Sequence, residues 1–508
     1  MLTRSFLPPS LRSNILCYTP MFHARLFATD PHYRSSMFAP LRNPIPSPSD
    51  PYHTSQLTPA DHHLDGNPLF DRPLVVQFCA NDPQHLLAAA SLAAPFADAI
   101  DLNLGCPQGI ARRGRYGAFL QEDPTLIFQL INTLHRELRI PVTAKCRILD
   151  TREETLKYVR MLFEAGASWV CVHGRKRECK GHNTGLADWE VIRWVRERLP
   201  AEWVLFANGN VLQHGDLRRC LEATGVDGVM TAEGNLHDPG IFAVLPGADQ
   251  RDNGGVEGEY WIGRDGVGGY RMDAVLRRYL DIIHRYVLNR PPPERKPLFI
   301  PGDTLPEQRK QSGEDKMEAE DEQPPKKRQK LSKAEKKLTR VADPNLCAMQ
   351  AHLFSLLRPL VAKHTNIRDA LARCRAGDIA GFENILSMVE HAVQQGLVEY
   401  ERNPEEWDEM ERERTEVITK GEIFDDPESS KDAVVRCKRP WWICQPYVRP
   451  LPKEAMAKGS LTVSKKLKLD KGDKDRMVDK VESRVEEGSG RSMEKVEEEV
   501  PKEAVVCG

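Results

Sequence analysis

An α/β barrel of the TIM (β/α)8 type, followed by a small all-α region, is the fold class that this sequence predicts. Three observations predict it. From Pro73 to Gly234, short apolar runs alternate with helix-length amphipathic stretches, the pattern of a parallel sheet with helices outside it. Polar residues close nearly every apolar run, at the strand end where such barrels gather their chemistry. A chain of 508 residues is also long enough for one barrel and a smaller second domain.

The strands read as Leu74–Cys79, Ala99–Leu104, Val142–Cys146, Trp169–Val172, Trp203–Ala207 and Asp227–Thr231. The intervening helices read as Pro83–Ala94, Pro124–Leu138, Glu153–Glu164, Trp189–Leu199 and Gly215–Glu222. Upstream, Asn14–Thr19 reads as one more strand and Phe22–Phe27 as the start of a helix. That makes seven strands, whereas a closed barrel of this type needs eight. The place for the eighth is before residue 14. Met1–Ala28 carries Arg4, Arg12 and Arg25, serines and no acid, which imitates a mitochondrial leader. The strand and helix already present there favour a cytoplasmic or nuclear location instead.

Residues 14–260 are expected to form the barrel, with a Pro- and Ser-rich surface insertion at 37–63. Asp249–Gly269 is glycine-rich and reads as a loop. Residues 270–300 and 343–400 form the helical domain, with helices Ala274–Val287, Cys347–Ala362, Asn366–Ala376 and Ile379–Gln395. Residues 301–342 are charged and poor in apolar side chains, the composition of a disordered linker. Pro324–Leu331 within it is either a nuclear-import signal or a solvated basic run. Residues 401–508 read as a mostly disordered tail with an aromatic island, Trp441, Trp442 and Tyr447, at 439–451.

Composition narrows the function. A net charge of −2 excludes a globally basic nucleic-acid binder, so any attraction to RNA must come from local clusters. The 12 cysteines lack paired metal-type spacing, which points to reduced thiols rather than to a disulfide framework or a metal site. No apolar stretch approaches the ~20 residues that span a bilayer, so no membrane partner is expected. A monomer is the default state.

The strand ends carry the chemistry. Cys106 follows a strand directly, is backed by Pro107, and faces a loop with Arg112, Arg113 and Arg115. Either it is a small buried hydrophobe or it is a thiol in an active site. Gln77, Asn103, Lys145, His173 and Arg175 close other strands. Asn208-Gly209-Asn210 and Ala232-Glu233-Gly234 follow the last two strands, and loops at that position of a barrel often hold a phosphate through backbone N–H groups. Such a cradle, with Lys145 and His173 nearer the axis, suits flavin mononucleotide (FMN).

Several segments together carry a resemblance: Met21–Phe27, Gln77–Pro83, Asp101–Gln108, Gly114–Leu120, Val172–Arg175 and Ala232–Leu236. They resemble the tRNA-dihydrouridine synthases, and within them the eukaryotic subfamily acting on D-loop positions 16 and 17. The likeness spans about Asn14–Leu236 and returns faintly in Ala351–Tyr400 and Cys444–Arg449. It implies an FMN-dependent reduction of uridine in tRNA, with NADPH or NADH recharging the flavin. Cys106 would donate the proton, and Asn103 would bind the uracil. Gln77, Lys145 and His173 would hold the flavin ring, and Asn208, Gly209, Asn210, Ala232 and Glu233 the phosphate. Arg112, Arg113 and Arg175 would clamp tRNA around the entrance, and the helical domain would bind the tRNA body.

One departure stands against this. Family members begin with a strand ending in Ala-Pro-Met, and Met1–Ser13 has no such motif. Either the sequence lacks a first segment that belongs to it, the favoured reading, or the barrel is defective with an open sheet edge. The missing strand supports one alternative, a catalytically impaired tRNA-binding relative; a second, a small-molecule flavin reductase, would share the barrel and phosphate loops.

Overall fold

The computed structural model describes residues 1–43, 45, 57–58, 60–181, 184–245, 258–302, 343–419 and 429–457. The basic run at 324–331 and the end of the chain from 458 lie outside the described residues.

Apolar runs form a parallel sheet in which the three strands Leu74–Cys79, Ala99–Leu104 and Val142–Arg147 are fully buried, as strands covered by helices on the outside and packed on the inside must be, while the outer strands are partly exposed. In chain order the strands are β1 (Cys17–Tyr18 and Phe22–His23), β2 (Leu74–Cys79), β3 (Ala99–Leu104), β4 (Val142–Arg147), β5 (Trp169–His173), β6 (Val204–Asn208) and β7 (Gly228–Met230). Each pairs with the next in parallel. The two halves of β1 are one interrupted strand. Cys17 is opposite Leu74 and Phe22 opposite Phe78, so the first strand carries one residue more than its partner across that span, a bulge at Thr19-Pro20-Met21. The expected helix start at Phe22 is therefore strand, and the helix begins at Ala24. Among the described residues β1 and β7 are not paired with each other, and Met1–Asn14 holds a short helix and a 3-10 turn rather than a strand.

Helix starts follow local chemistry. Asp82, Asp123 and Asp188 accept backbone N–H bonds as N-caps of Pro83–Ala93, Pro124–Glu137 and Trp189–Arg196. Thr151 and Glu154 form a capping box before Arg152–Glu164. These helices bury one face on the sheet through Leu86, Ile127, Leu130, Val159, Leu162 and Ile192.

Four expectations need correction. The insertion at 37–63 is not wholly a surface excursion: Phe38, Leu41 and Ile45 join the barrel core, and Leu41 bridges to His62. Part of the 249–269 loop is a hairpin, Tyr260–Ile262 against Gly268–Tyr270. Helix Cys347–Ala362 is two helices, Pro344–Leu356 and Arg358–Lys363, because Pro359 lacks the N–H that a continuous helix needs. Finally, the described residues 401–419 and 429–457 are not a disordered tail. They include helices Glu405–Thr419, Lys431–Cys437 and Pro452–Ala457.

The aromatic island is the centre of that second core. Trp442 is fully buried, its ring 5.2 Å from Trp407, 5.2 Å from Trp441, 6.2 Å from Trp261 and 6.3 Å from Tyr400. Gly396, inside the long helix Ile379–Arg402, makes this possible, since a Cβ there would lie 2.6 Å from the Trp442 ring.

Polar contacts lock the helical domain to the barrel. Among them, Arg436 pairs with the buried Asp216 at 2.7 Å, Arg439 donates to Gln213 at 3.2 Å, and His237 meets the Ser355 carbonyl at 2.7 Å.

Candidate active site

Side chains at i and i+2 of a strand share a face, and the register turns that rule into a site. Gln77, Asp101 and Thr143 are aligned across β2, β3 and β4; Asn103 is aligned with Lys145; Arg147, His173 and Asn208 are aligned across β4, β5 and β6. All of them are buried polar residues; Arg147, His173 and Asn208 end their strands, while Asp101 and Thr143 lie deeper along theirs.

At its centre is a chain of hydrogen bonds. Gln77 Nε2 donates to Asp101 at 2.8 Å, Thr143 Oγ1 donates to Asp101 at 2.6 Å, and Asn103 Nδ2 donates to Gln77 Oε1 at 2.7 Å. Asn103 Oδ1 accepts from the backbone N–H groups of Gly105 and Cys106, both at 3.0 Å. Asn103 thus has one remaining N–H and no free oxygen for a ligand. Burial pushes the Asp101 carboxyl up to about 6, with Thr143, Gln77 and Lys145 pulling the other way.

Cys106 is 2% exposed and packs with Cys79, Ala111 and Tyr116. The backbone turns tightly over it: Gly117 has φ +64°, and a Cβ there would lie 2.8 Å from the Cys106 carbonyl oxygen. Burial, reinforced by Cys106, raises the neighbouring Cys79 thiol far above its ordinary range.

Lys145 is buried beside Asp101 and His173. His173 is neutral: burial, then Lys145, Arg147 and Arg175, hold its pKa well below the usual imidazole value. Arg175 Nη1 lies 3.1 Å from His173 Nε2. A guanidinium only donates, so Nε2 accepts and the ring proton is on Nδ1. Arg175 also donates to Asn210 Oδ1 at 2.7 Å and to the Gly185 carbonyl at 3.0 Å. Burial lowers its pKa to about 10. It is held inside the mouth, not at the entrance.

The two loops expected to cradle a phosphate touch each other, with Thr231 Oγ1 donating to the Val211 carbonyl at 2.7 Å. Gly209 has φ +106°, and a Cβ there would lie 2.6 Å from Ala187 and 3.0 Å from His173. Asn208 Nδ2 donates to the Met230 carbonyl at 2.8 Å, while its Oδ1 is buried without a partner among the described residues. Ala232 and Glu233 open the short helix Glu233–His237, and Arg449 from the far end of the chain pairs with Glu233. Arg112 and Arg113 are exposed on helix Gly109–Gly114, directly beyond Cys106.

Sequence reasoning missed Asp101 and gave Arg147 no role. The signal for Asp101 was available, since an acid in the apolar run Ala99–Leu104 lies two residues before Asn103 and hence on its face.

Comparison with known proteins matches this geometry to a family. The family model described as "Dihydrouridine synthase (Dus)" matches residues 7–257. The tRNA-dihydrouridine(16/17) synthase (NAD(P)(+)) of Schizosaccharomyces pombe is 38% identical over 441 residues, covering 86% of this chain and 82% of the relative. The protein of the same name from Saccharomyces cerevisiae is 37% identical over 447 residues, 86% of this chain and 78% of the relative. A tRNA-dihydrouridine(16/17) synthase-like protein of Rattus norvegicus is 46% identical over 227 residues, 45% of this chain and 46% of the relative. With this identity sustained over most of both yeast relatives, the chain belongs to the dihydrouridine synthase family.

Proposed function

We propose that this chain reduces uridine to 5,6-dihydrouridine at D-loop positions 16 and 17 of tRNA, with FMN at the barrel mouth and NADPH or NADH as reductant. The names of the yeast relatives support the activity, the substrate and the NAD(P) dependence. Three features of the mouth fit FMN. Asn208 Oδ1, without a partner among the described residues, is an acceptor that a ribityl hydroxyl would satisfy. The turn at Gly209 leaves backbone without a side chain where a phosphate would approach. Lys145 offers a buried cation to the pyrimidine side of the ring, where negative charge accumulates on reduction.

When bound, the flavin supplies the hydride that reaches C6 of the uracil ring. Cys106 Sγ–H gives the proton to C5, which completes the addition of two hydrogens across the C5=C6 bond. Asn103 offers its remaining N–H to a ring carbonyl, and the neutral His173 keeps a second cation away from Lys145. The target uridine must leave its stack to reach a thiol this deep. Arg112 and Arg113, exposed beside the opening, suit phosphates there. The active species is read as a monomer that needs no metal.

One observation carries the reading: a thiol whose backbone is pinned by Asn103 lies on the same strand-end face as a buried cation, Lys145, the residue paired with Asn103 across the sheet. The test is to incubate the purified chain with FMN, NADPH and unmodified tRNA, and to map dihydrouridine by mass spectrometry. Flavin absorbance and product at positions 16 and 17 are expected. Flavin binding with turnover of small oxidants but no tRNA product would overturn it in favour of a small-molecule reductase. RNA binding without flavin would leave only a tRNA-binding relative.

A further inference from the structure

Asp101 is fully buried at the floor of the mouth and takes no part in the chemistry described above. Burying a carboxylate is costly, and an apolar residue of similar size would avoid the cost. The hydrogen bonds around it show what an acid does there that an apolar residue could not.

An ionised carboxylate only accepts, so Thr143 and Gln77 both donate to it, at 2.6 and 2.8 Å. With its nitrogen committed to Asp101, Gln77 turns Oε1 to Asn103 Nδ2, 2.7 Å away. With its nitrogen committed to Gln77, Asn103 turns Oδ1 to the N–H groups of Gly105 and Cys106. Backbone N–H groups only donate, so the far end of the chain is also fixed. Flipping either amide would set oxygen against oxygen at one end or N–H against N–H at the other. The network has one consistent direction, with a pure acceptor, the Asp101 carboxylate, at the floor and pure donors, the Gly105 and Cys106 N–H groups, at the far end.

We propose that Asp101 is a positioning residue: its carboxylate sets the orientation of the Gln77 and Asn103 amides, and through them the backbone that carries Cys106. The inference rests on the functional reading above for its catalytic consequence and on the hydrogen bonds alone for its structural one. It has a second result. Asn103 keeps one N–H and no free oxygen lone pair, because Gly105 and Cys106 both donate to Oδ1, so it faces a bound ring as a donor. Gln77 keeps one N–H and one lone pair on Oε1. The Asn103 donor suits a carbonyl of an imide ring and would oppose an amino group at the same position.

Two variants separate direction from charge. In Asp101→Asn the new oxygen can still accept from Gln77 while the new amide donates to the Thr143 hydroxyl, so direction survives without charge. In Asp101→Leu nothing accepts from Gln77. Hydrogen exchange of the peptide spanning 103–108, measured on the whole flavin-free chain, reads the structural effect without any catalysis. Asp101→Leu is expected to speed exchange at Gly105 and Cys106 about tenfold, the loss of one net hydrogen bond, whereas Asp101→Asn stays near wild type. In single turnover with tRNA, Asp101→Leu is expected to slow dihydrouridine formation on the order of 100-fold, as a misplaced reacting group does. Flavin reduction by NADPH, which does not use the thiol, should change little in the same variant.

Equal damage from Asp101→Asn and Asp101→Leu would overturn the proposal, because charge and not direction would then matter. Unchanged exchange at Gly105 and Cys106 in Asp101→Leu would overturn it as well. Should Asp101→Leu fail to fold, Gln77→Met breaks the same chain one step along and must give the same exchange pattern. If the wild type forms no dihydrouridine, the functional reading fails, and the exchange result still decides the role of Asp101.

Discussion

Arg147 donates from Nε to the carbonyl of Gly105 at 2.7 Å, so the residue just before Cys106 is held by the neighbouring strand. From Nη1 the same guanidinium reaches the carbonyls of Lys176 and Cys179, at 3.0 and 3.2 Å. One planar fork on β4 therefore ties the loop after β3 to the loop after β5. Asn103 holds the Cys106 N–H from one side while Arg147 holds the Gly105 carbonyl from the other. Lysine could not reproduce this, having one point of attachment instead of a rigid fork.

Arg147→Lys is therefore expected to loosen both loops at once. Urea unfolding should show a loss of about 1–3 kcal/mol, the cost of buried carbonyls left without donors. Limited proteolysis between Lys176 and Gly185 should quicken in parallel. Unchanged cleavage there would mean that the fork is not what restrains the loop.

Cys106→Ala should keep its flavin and lose its product. The packing around the thiol, by Cys79, Ala111 and Tyr116, tolerates a smaller apolar side chain. Oxidation of the pre-reduced protein by tRNA should slow by roughly 10²–10⁴-fold, the usual contribution of a general acid. Stopped-flow flavin absorbance measures it directly.

Gly209→Ala attacks the cradle. Alanine at φ +106° is strained, and its Cβ would meet both Ala187 and the His173 ring. A stability loss of about 1–3 kcal/mol is expected, together with lower flavin occupancy in the purified protein. Full occupancy would move the phosphate away from this turn.

Asp101 also predicts a pH dependence. Its folded pKa is about 6, against about 3.9 for an unfolded aspartate. The native state therefore binds the extra proton, so this contribution is present below about pH 4 and is lost as pH rises through 6. Asp101→Asn carries no such loss. Its stability relative to wild type should rise by about 2–3 kcal/mol between pH 4 and pH 7, as followed by denaturant titration at each pH. A difference independent of pH would show that Asp101 is charged in both states alike.

Arg112 and Arg113 are exposed beside the mouth, where charge acts on RNA through counterion release. Replacing both with glutamine should weaken tRNA binding uniformly across sequences and lower the slope of log Kd against log salt by about 1–2. An unaltered slope would place the RNA elsewhere.

A cruder experiment, removal of everything after residue 300, is not clean. The buried Asp216 would lose Arg436 and keep Arg219 alone, and Gln213 would lose Arg439. Loss of tRNA binding in such a chain would mix a missing RNA surface with a damaged barrel.

The sequence by itself determined the strands, the outer helices and which residues close each strand. Those features are local: an apolar run of six residues, an Asp-Pro cap, a period of two or of 3.6. The segment from Asp101 to Cys106 was legible because strand, turn and thiol are contiguous. What only the tertiary structure decided depends on residues far apart in the chain meeting. Trp442 reads as part of an isolated aromatic patch until Trp261, Tyr400 and Trp407 surround it. Arg175 reads as an RNA clamp until His173, Asn210 and Gly185 use its guanidinium. Asn103 reads as a uracil ligand, and the structure leaves it only an N–H for that role, because its oxygen is spent on Gly105 and Cys106 while the neighbouring strand brings Gln77 to its nitrogen. Periodicity says which face a side chain is on. Only the register between strands says which donor meets which acceptor.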